Sequence, residues 1–198
     1  MKKIAVLAVM MFGFVSAAAA APKIDVGAGY NYTRVISPGN NYEEAFAKDS
    51  YTGYGVFADL YILPSVSMGL ERANLGNFNR IDDRKNLTDA ALKEIGLRVK
   101  YNYDLTQTIS LYGLVGIADY EYSYYNEEYL ADKIGFNLGI GAKMNFTGNW
   151  FAGLDLRYHF LPRVEYKERH YDGSIYKEDL LAAGTGVFVP TVFIGYSF

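Results

Sequence analysis

Cysteine is absent from this 198-residue chain, and histidine and tryptophan are scarce, with two residues and one residue respectively. Without cysteine the chain has no disulfide framework, no thiolate metal site, no catalytic thiol and no lipid-modified N-terminal cysteine. Basic residues are not in excess either, because 19 lysines and arginines are set against 22 acidic residues. This charge balance leaves no basic footprint for nucleic acid, which we therefore exclude as a partner.

Long apolar runs are also absent, except in the first 21 residues. There, two lysines precede an apolar stretch from Ile4 to about Val15, and an alanine run follows. This order is typical of a secretory signal peptide, and the small residues around Ala20 favour cleavage after it. We therefore predict that residues 1–20 are a cleaved signal peptide and that residues 21–198 form one domain. The alternative is a retained N-terminal membrane anchor.

Helical periodicity is not sustained in the mature chain, whereas alternation with a period of two recurs. In WFAGLDLRYHF, apolar residues occupy every second position from Trp150 to Phe160, and Asp155, Arg157 and His159 lie between them. Eight such segments occur, at residues 23–33, 51–62, 66–73, 94–103, 108–120, 133–146, 150–160 and 185–198. Their lengths suit the ~9–11 residues that a tilted strand needs to cross a bilayer. The fifth segment is extended, but its phase is ambiguous.

The connections between these segments alternate in length. The short ones are residues 63–65, 104–107 and 147–149, and the longer ones are residues 35–50, 74–92, 121–132 and 163–182. Short turns at one end and long loops at the other are the layout of an outer-membrane barrel. We predict an all-β fold, an eight-stranded antiparallel up-and-down transmembrane β-barrel with both termini on the short-turn, periplasmic side.

Aromatic residues of the apolar face lie at the two ends of the strands. If the first strand runs upward from the periplasm, the lower group is Tyr101, Tyr103, Phe146, Trp150, Tyr196 and Phe198, and the upper group is Tyr30, Tyr32, Tyr54, Tyr158 and Phe160. Two aromatic girdles around an aliphatic band match the two interfaces of a membrane. We therefore expect the apolar face to meet lipid and the polar face to line the lumen.

The polar face then places charged side chains of both signs inside the barrel. The predicted lumen network consists of Asp59, Glu71, Glu94, Arg98, Lys100, Lys143, Asp155, Arg157 and His159. Side chains just fill the interior of an eight-stranded barrel, and an unpaired buried charge is costly. We expect these groups to neutralise one another through salt bridges.

Two segments resemble the small Gram-negative outer-membrane β-barrels of the OmpA, OmpX and Ail type, which include porin-like members. The C-terminal VFIGYSF has apolar or aromatic residues at alternate positions and ends at Phe198, and LYGLVGIADYEY at 111–122 is similar to a central strand of OmpX/Ail-type barrels. The resemblance implies a multi-pass protein of a Gram-negative-type outer membrane, in contact with membrane lipid and lipopolysaccharide. It also implies that the barrel-assembly machinery reads Ile194, Tyr196 and Phe198. Pro190 departs from the pattern and predicts a bulge or a missing ladder bond.

Candidate catalytic and metal-binding residues are few. Some barrels of this size resemble lipid A-modifying enzymes that use serine and histidine, but His159 falls in the lumen phase and has no serine beside it. His170 lies in the fourth loop with Ser174 nearby, in an arrangement that sequence alone does not define. Asp82 and Asp83 could hold a metal ion, but three basic residues surround them. We predict no catalytic residue, no metal site and no cofactor.

These observations favour a non-enzymatic barrel that acts in envelope integrity, or in surface adhesion through its long loops. The third loop begins YEYSYYNEEY, and Tyr122, Tyr124, Tyr125 and Tyr129 form a candidate surface for a host or cell-surface ligand. Alternatively, these tyrosines extend strands five and six above the membrane as a hairpin. A small diffusion channel for small solutes is the second hypothesis, and a lipid A-modifying enzyme is the third.

Overall fold

The computed structural model describes residues 23–37, 50–81, 87–123, 133–162, 164–169, 175–181 and 186–198. Strands make up almost all of these residues. In chain order they are β1 (Ile24–Ser37), β2 (Ser50–Leu63), β3 (Val66–Ile81), β4 (Leu87–Asp104), β5 (Ile109–Ser123), β6 (Lys133–Asn145), β7 (Trp150–Phe160), β8 (Val164–Arg169), β9 (Ile175–Leu181) and β10 (Gly186–Ser197). Within these ranges, no helix has the length and apolar character needed to cross a membrane.

Eight of the strands close into one barrel. Strands β1 to β7 pair antiparallel with their neighbours in chain order, and β10 pairs with both β7 and β1. This confirms the predicted eight-stranded antiparallel up-and-down barrel. Closure gives every barrel strand a hydrogen-bonded neighbour on both sides, so the barrel presents no open sheet edge to its surroundings.

The facing pairs show how strongly the strands are staggered. Starting at Asp25, the row of facing residues passes once around the barrel and returns to β1 at Val35, ten residues farther along the same strand. The row is Asp25, Asp59, Gly69, Arg98, Gly116, Asn137, His159, Val187 and Val35. A shear of this size tilts the strands against the barrel axis. The tilt brings residues far apart in the chain to the same level of the lumen.

The short turns lie at one end of the barrel, as the sequence indicates. The turn between β6 and β7 is a single 3-10 turn, Thr147–Asn149. Gly148 and Asn149 both have positive φ, at 74° and 67°. Left-handed residues at the centre of a tight hairpin turn match the twist of its strands, and glycine and asparagine adopt this conformation most easily.

Two predicted loops contain strand, and those predictions are wrong in extent. Strand β3 continues to Ile81 and β4 begins at Leu87, so most of residues 74–92 is a paired hairpin. Within residues 163–182, β8 and β9 pair as a separate two-stranded sheet. Neither segment shows the apolar alternation by which the sequence analysis recognised strands. Ladder hydrogen bonds alone leave no such signal in the sequence.

The structure settles the phase of β5. Tyr112, Leu114 and Ala118 point inward and are buried, whereas Val115 and Ile117 point outward and are exposed. Both faces of this strand are therefore mostly apolar, one against lumen side chains and one on the outer wall. Periodicity carries no information when the two faces have the same character.

The last strand carries Pro190, which has no N–H to donate. The facing pairs Asn31–Thr191 and Arg34–Phe188 flank a gap in the β1–β10 ladder opposite Pro190, and the register is the same on both sides. The ladder to β7 continues through Pro190 without interruption. Of the two outcomes that the sequence predicts for this proline, the local interruption is the one observed.

Aromatic rings fill the lower half of the lumen where glycines leave room for them. Phe57, Phe151 and Phe193 form a cluster with ring centroids 5.6 to 6.4 Å apart. A Cβ atom added at Gly153 would overlap the Phe193 ring and the carbonyl oxygen of Ala142. The small residues of the polar face therefore make space for large rings from neighbouring strands.

We expect Gly153→Val to destabilise the barrel by about 1–3 kcal/mol, because the added methyl groups overpack the lumen against backbone and ring. Gly113→Val is the matched control, since Gly113 lies on the outer wall of β5 and a Cβ atom there meets nothing within 4 Å. The measurement is the free energy of unfolding in urea, followed by the fluorescence of the single tryptophan, Trp150. Equal stabilities for the two variants would contradict the packing argument.

Candidate functional site

The residues predicted to form the lumen network all lie inside the barrel. Asp59, Glu71, Glu94, Arg98, Lys100, Lys143, Asp155, Arg157 and His159 are each exposed by 6% or less. Asp25 belongs to the same buried set. Alternation explains their placement, because every second residue of a barrel strand points inward.

A bidentate ion pair forms the lower part of this network. Arg98 on β4 donates from Nε to Oδ1 of Asp59 at 2.8 Å and from Nη2 to Oδ2 at 2.9 Å. Lys100 Nζ donates to the same Oδ2 at 2.9 Å. Two cations thus share one carboxylate from β2. Hydrogen bonds of this charge-assisted, fork-like kind are among the strongest in proteins.

Glu71 on β3 links this pair to the opposite wall of the barrel. It accepts from Arg98 Nη1 at 3.0 Å and from Arg157 Nη1 on β7 at 2.6 and 2.7 Å. Asp155 lies between the two guanidinium groups, 3.8 Å from Arg157 Nε and 4.0 Å from Arg98 Nη1, and accepts a hydrogen bond from Tyr112. The network therefore spans the full width of the lumen.

Aromatic faces cover the cations of this network. The Arg98 guanidinium carbon lies 4.4 Å from the centroid of the Phe57 ring, and Lys100 Nζ lies 4.6 Å from that of Tyr112. Cations are attracted to the negative face of such rings, most strongly where water is excluded. The phenylalanine cluster and the ion network are therefore one packed unit.

A second polar cluster lies near the long-loop end. His159 Nδ1 is 3.1 Å from Oε2 of Glu94 and 2.8 Å from the hydroxyl of Tyr120. Among the described residues, neither Glu94 oxygen, neither amide atom of Asn137 and not Nε2 of His159 has a hydrogen bond. Buried polar groups are normally paired with protein or water. This cluster is therefore where we expect ordered water.

A third cluster lies at the short-turn end. Lys143 Nζ donates to Oδ2 of Asp25 at 2.8 Å and to the hydroxyl of Tyr61 at 2.9 Å, and Ser197 donates to Oδ1 of Asp25 at 2.5 Å. Lys23, just before β1, lies 4.6 Å from the Tyr61 ring centroid. Partial burial and the nearby Lys143 ammonium lower the pKa of Lys23. Two ammonium groups thus lie close to one carboxylate at this mouth.

An apolar layer, which the sequence analysis missed, lies between the polar lumen and the long-loop end. It consists of Val35, Leu75, Leu92, Leu161 and Val187, all exposed by 7% or less. Leu92 lies two residues from Glu94, and Leu161 lies two residues from His159, in both cases toward the long loops. Val187 faces Val35 on the neighbouring strand. These residues occupy the same alternate positions as the lumen residues of their strands, and this spacing could have predicted the layer from the sequence.

A small cavity borders the ion network inside the described lumen. Its volume is about 20 Å³, and Asn31, Glu71, Asp155 and Thr191 are among the residues that line it. A water molecule needs about 10–15 Å³ on this measure, so the cavity has room for about one. Oδ1 of Asn31 and Oγ1 of Thr191 have no hydrogen-bond partner among the described residues, and such a water could satisfy both.

The buried charges nearly balance. The described lumen holds five carboxylates and four lysine or arginine side chains, and His159 lies against the Glu94 carboxylate. Removing one charged member of such a network leaves its partners uncompensated in a medium that solvates them poorly. The arrangement can therefore cross-link the barrel walls. The described residues contain no group of three or more histidine and acidic side chains placed to hold a metal ion.

The predicted girdle residues lie on the outer wall. Tyr30, Tyr32, Tyr54, Tyr101, Tyr103, Phe146, Trp150 and Phe198 are exposed, and Tyr158, Phe160 and Tyr196 are partly exposed. Neighbouring rings contact one another, as in the Trp150–Tyr196 pair at 5.4 Å between centroids. Ile194, Tyr196 and Phe198, predicted as an assembly signal, share this outward face at the end of the last strand.

Other candidates lie outside the described residues. These are Asp82, Asp83, Tyr124, Tyr125, Tyr129, His170 and Ser174, together with the side chain of Tyr122. The proposed loop surface and the serine–histidine alternative therefore stay predictions. His159 is described, and its contacts are with the lumen residues Glu94 and Tyr120.

Residues 5–187 match the family model described as "Outer membrane protein beta-barrel domain". The chain belongs to this family. The match covers most of the chain and includes seven complete barrel strands, which identifies the protein as an outer-membrane β-barrel and its outer wall as the surface that meets lipid. No curated protein sequence matches it.

Solved structures support the same fold for this outer-membrane barrel. Neisserial surface protein A is 12% identical with a TM-score of 0.55, covering 90% of this chain and 98% of that one. Ail of Yersinia pestis is 15% identical with a TM-score of 0.51, covering 90% and 100%. A major outer membrane protein of Thermus thermophilus is 16% identical with a TM-score of 0.55, covering 90% and 100%. At these identities the similarity concerns the fold alone.

We expect Glu71→Gln to destabilise this outer-membrane barrel by about 3–5 kcal/mol, because it leaves two buried guanidinium groups without their shared carboxylate. The matched control is Glu121→Gln, which breaks the exposed Lys93–Glu121 pair at 3.7 Å and costs at most about 1 kcal/mol. Both are measured by urea unfolding in the same lipid vesicles. A Glu71 variant as stable as its control would show that the network does not hold the barrel together.

Proposed function

We propose that this protein is a non-enzymatic, multi-pass barrel of a Gram-negative-type outer membrane that strengthens the envelope and carries binding loops on a rigid base. In this proposal the lumen is a structural core and does not conduct solutes. In this proposal, binding at the cell surface is carried out by the segments at the long-loop end.

The observation that carries this proposal is the filled lumen. The ion network crosses the barrel, a phenylalanine cluster packs against it, and the apolar layer covers it on the loop side. The cavity beside Glu71 has room for about one water molecule. A channel of eight strands would need these side chains to move away from partners that they bind tightly.

Loops on a rigid scaffold are where recognition most often occurs, which supports a role for the tyrosine-rich segment. Tyrosine offers a large contact area at little entropic cost. Ail of Yersinia pestis, which is similar in fold, is described as an attachment invasion locus protein. We extend a surface-binding role to this chain as part of the proposal, with a host or neighbouring cell as the partner.

We expect the refolded mature chain to be electrically silent in a planar bilayer at neutral pH. Folding is checked first by the heat-dependent shift of the protein on a gel, and single-channel current is then recorded over several hours. Steady, reproducible conductance from folded protein would overturn the closed-lumen proposal and make Arg98, Lys100 and Arg157 pore-lining residues.

We expect replacement of the four tyrosines at 122, 124, 125 and 129 by serine to abolish adhesion of bacteria that express the protein to cultured cells. The matched control replaces Glu127 and Glu128 in the same segment by glutamine and leaves the tyrosines in place. Folded protein in the outer membrane is quantified for each strain by the gel shift. Undiminished adhesion of the serine variant would leave envelope stabilisation as the proposed role.

A further inference from the structure

One sector of the outer wall differs from the rest in charge and chemistry. Six outward-facing residues on β1, β2 and β3 are exposed there: Tyr30, Tyr32, Arg34, Thr52, Tyr54 and Arg72. We call this set the β1–β3 patch. Facing pairs connect it, since Tyr30 faces Tyr54 and Tyr32 faces Thr52. It therefore forms a continuous strip with an arginine at each end.

The register places Arg72 close to the interface at the long-loop end. Arg72 lies opposite Val56, and two residues farther toward the loops the facing pair is Tyr54–Asn74. In the other direction six residues separate Arg72 from Val66, which faces the lower girdle residue Tyr101. Arg72 is thus just inside the upper girdle. Its long side chain can bring the guanidinium to the head-group level.

Arg34 lies on the other side of that girdle. It faces Ser50 and Phe188, two residues beyond Tyr32 toward the loops. The two arginines therefore flank the level at which lipid head groups lie, one just below it and one just above it.

Neither arginine has a carboxylate partner in the described part of the chain. The ion pairs there are those of the lumen and one outer-wall pair, Lys93–Glu121. That pair belongs to the next sector, in which Asp119 also points outward on β5. Among the described residues, no acidic side chain pairs with the positive charge of the β1–β3 patch, whereas the neighbouring sector carries Glu121 and Asp119.

An arginine on the lipid face of a barrel is costly, by an amount that falls toward the interfaces. A phosphate in the head-group layer removes this cost, because the guanidinium binds it through two parallel hydrogen bonds. The exposed tyrosine rings and the Thr52 hydroxyl between the arginines suit the ring faces and hydroxyl groups of a sugar.

We propose that the β1–β3 patch binds the phosphorylated sugar head group of a glycolipid of the outer leaflet, with Arg72 and Arg34 as its phosphate ligands. This rests on the proposed function for the orientation of the barrel, which places the long-loop end in the outer leaflet. The bound lipid then becomes part of the envelope-stabilising unit.

The test uses the full mature chain, refolded into phosphatidylcholine nanodiscs and titrated with diphosphoryl lipid A. The readout is the temperature at which the heat-resistant folded band is lost. We expect lipid A to raise this temperature for the unaltered chain. The double variant Arg34→Gln/Arg72→Gln should need about tenfold more lipid A or greater for the same rise, since at least one charge-assisted contact is lost at each arginine.

Lys93→Gln is the matched control, because it removes one positive charge from the same leaflet in the neighbouring sector. Its lipid A response should stay within about twofold of the unaltered chain. If the double variant does not refold, the single variants Arg34→Gln and Arg72→Gln are compared instead, and each should weaken the response severalfold. A response equal to that of the unaltered chain in the refolded arginine variants overturns the proposal.

Two further arms identify the ligand. Dephosphorylated lipid A should not stabilise the unaltered chain, and stabilisation equal to that by diphosphoryl lipid A would overturn the phosphate assignment. Inorganic phosphate alone should have no effect, and an equal effect would mean that the patch binds a free anion and not a lipid. Conductance is recorded separately, so that a conducting barrel counts against the proposed function and a silent barrel indifferent to lipid A counts against the patch alone.

Discussion

The structure depends on one carboxylate that two guanidinium groups share. Glu71 on β3 binds Arg98 from the adjacent strand and Arg157 from across the lumen. Charges taken out of water lose several kcal/mol of solvation each, and only close geometry with many hydrogen bonds offsets that loss. Here the geometry comes from the stagger of the strands, which raises residues far apart in sequence to one level. The strand register therefore decides which charged side chains meet in the lumen, and their ion pairs in turn stabilise that register.

The closed wall and the filled interior divide the surface into regions with separate tasks. The aliphatic band and the girdles match the membrane, and most of the charged side chains of the lumen form ion pairs with one another. A third region comprises the end with the long connections and the few outward-facing polar residues that the membrane does not explain.

Much of this arrangement could be read from the sequence, because lipid outside and charge inside produce a strong two-residue period. The strand at 150–160 and its lumen residues Asp155, Arg157 and His159 are examples. The two-residue alternation gave no prediction where the two faces of a strand have side chains of the same character. On β5 both faces are mostly apolar, so the alternation did not show which face points inward. The apolar layer around Leu92 and Val187 was missed because an inward position was expected to be polar. The partners of each charge required the register, which the sequence does not contain.

The paired extension of β3 and β4 projects beyond the rim at the long-loop end of the barrel. From the Asn74–Lys93 pair the ladder continues to Ile81 and Leu87, which is roughly 20 Å along the strands at about 3.3 Å per residue. The head-group layer on one side of a bilayer is only about 5–8 Å thick. Even when tilted, two paired strands of this length extend farther than that layer is thick. A bulky object that approaches the long-loop end therefore meets the paired ends of β3 and β4 before it meets the rim of the barrel.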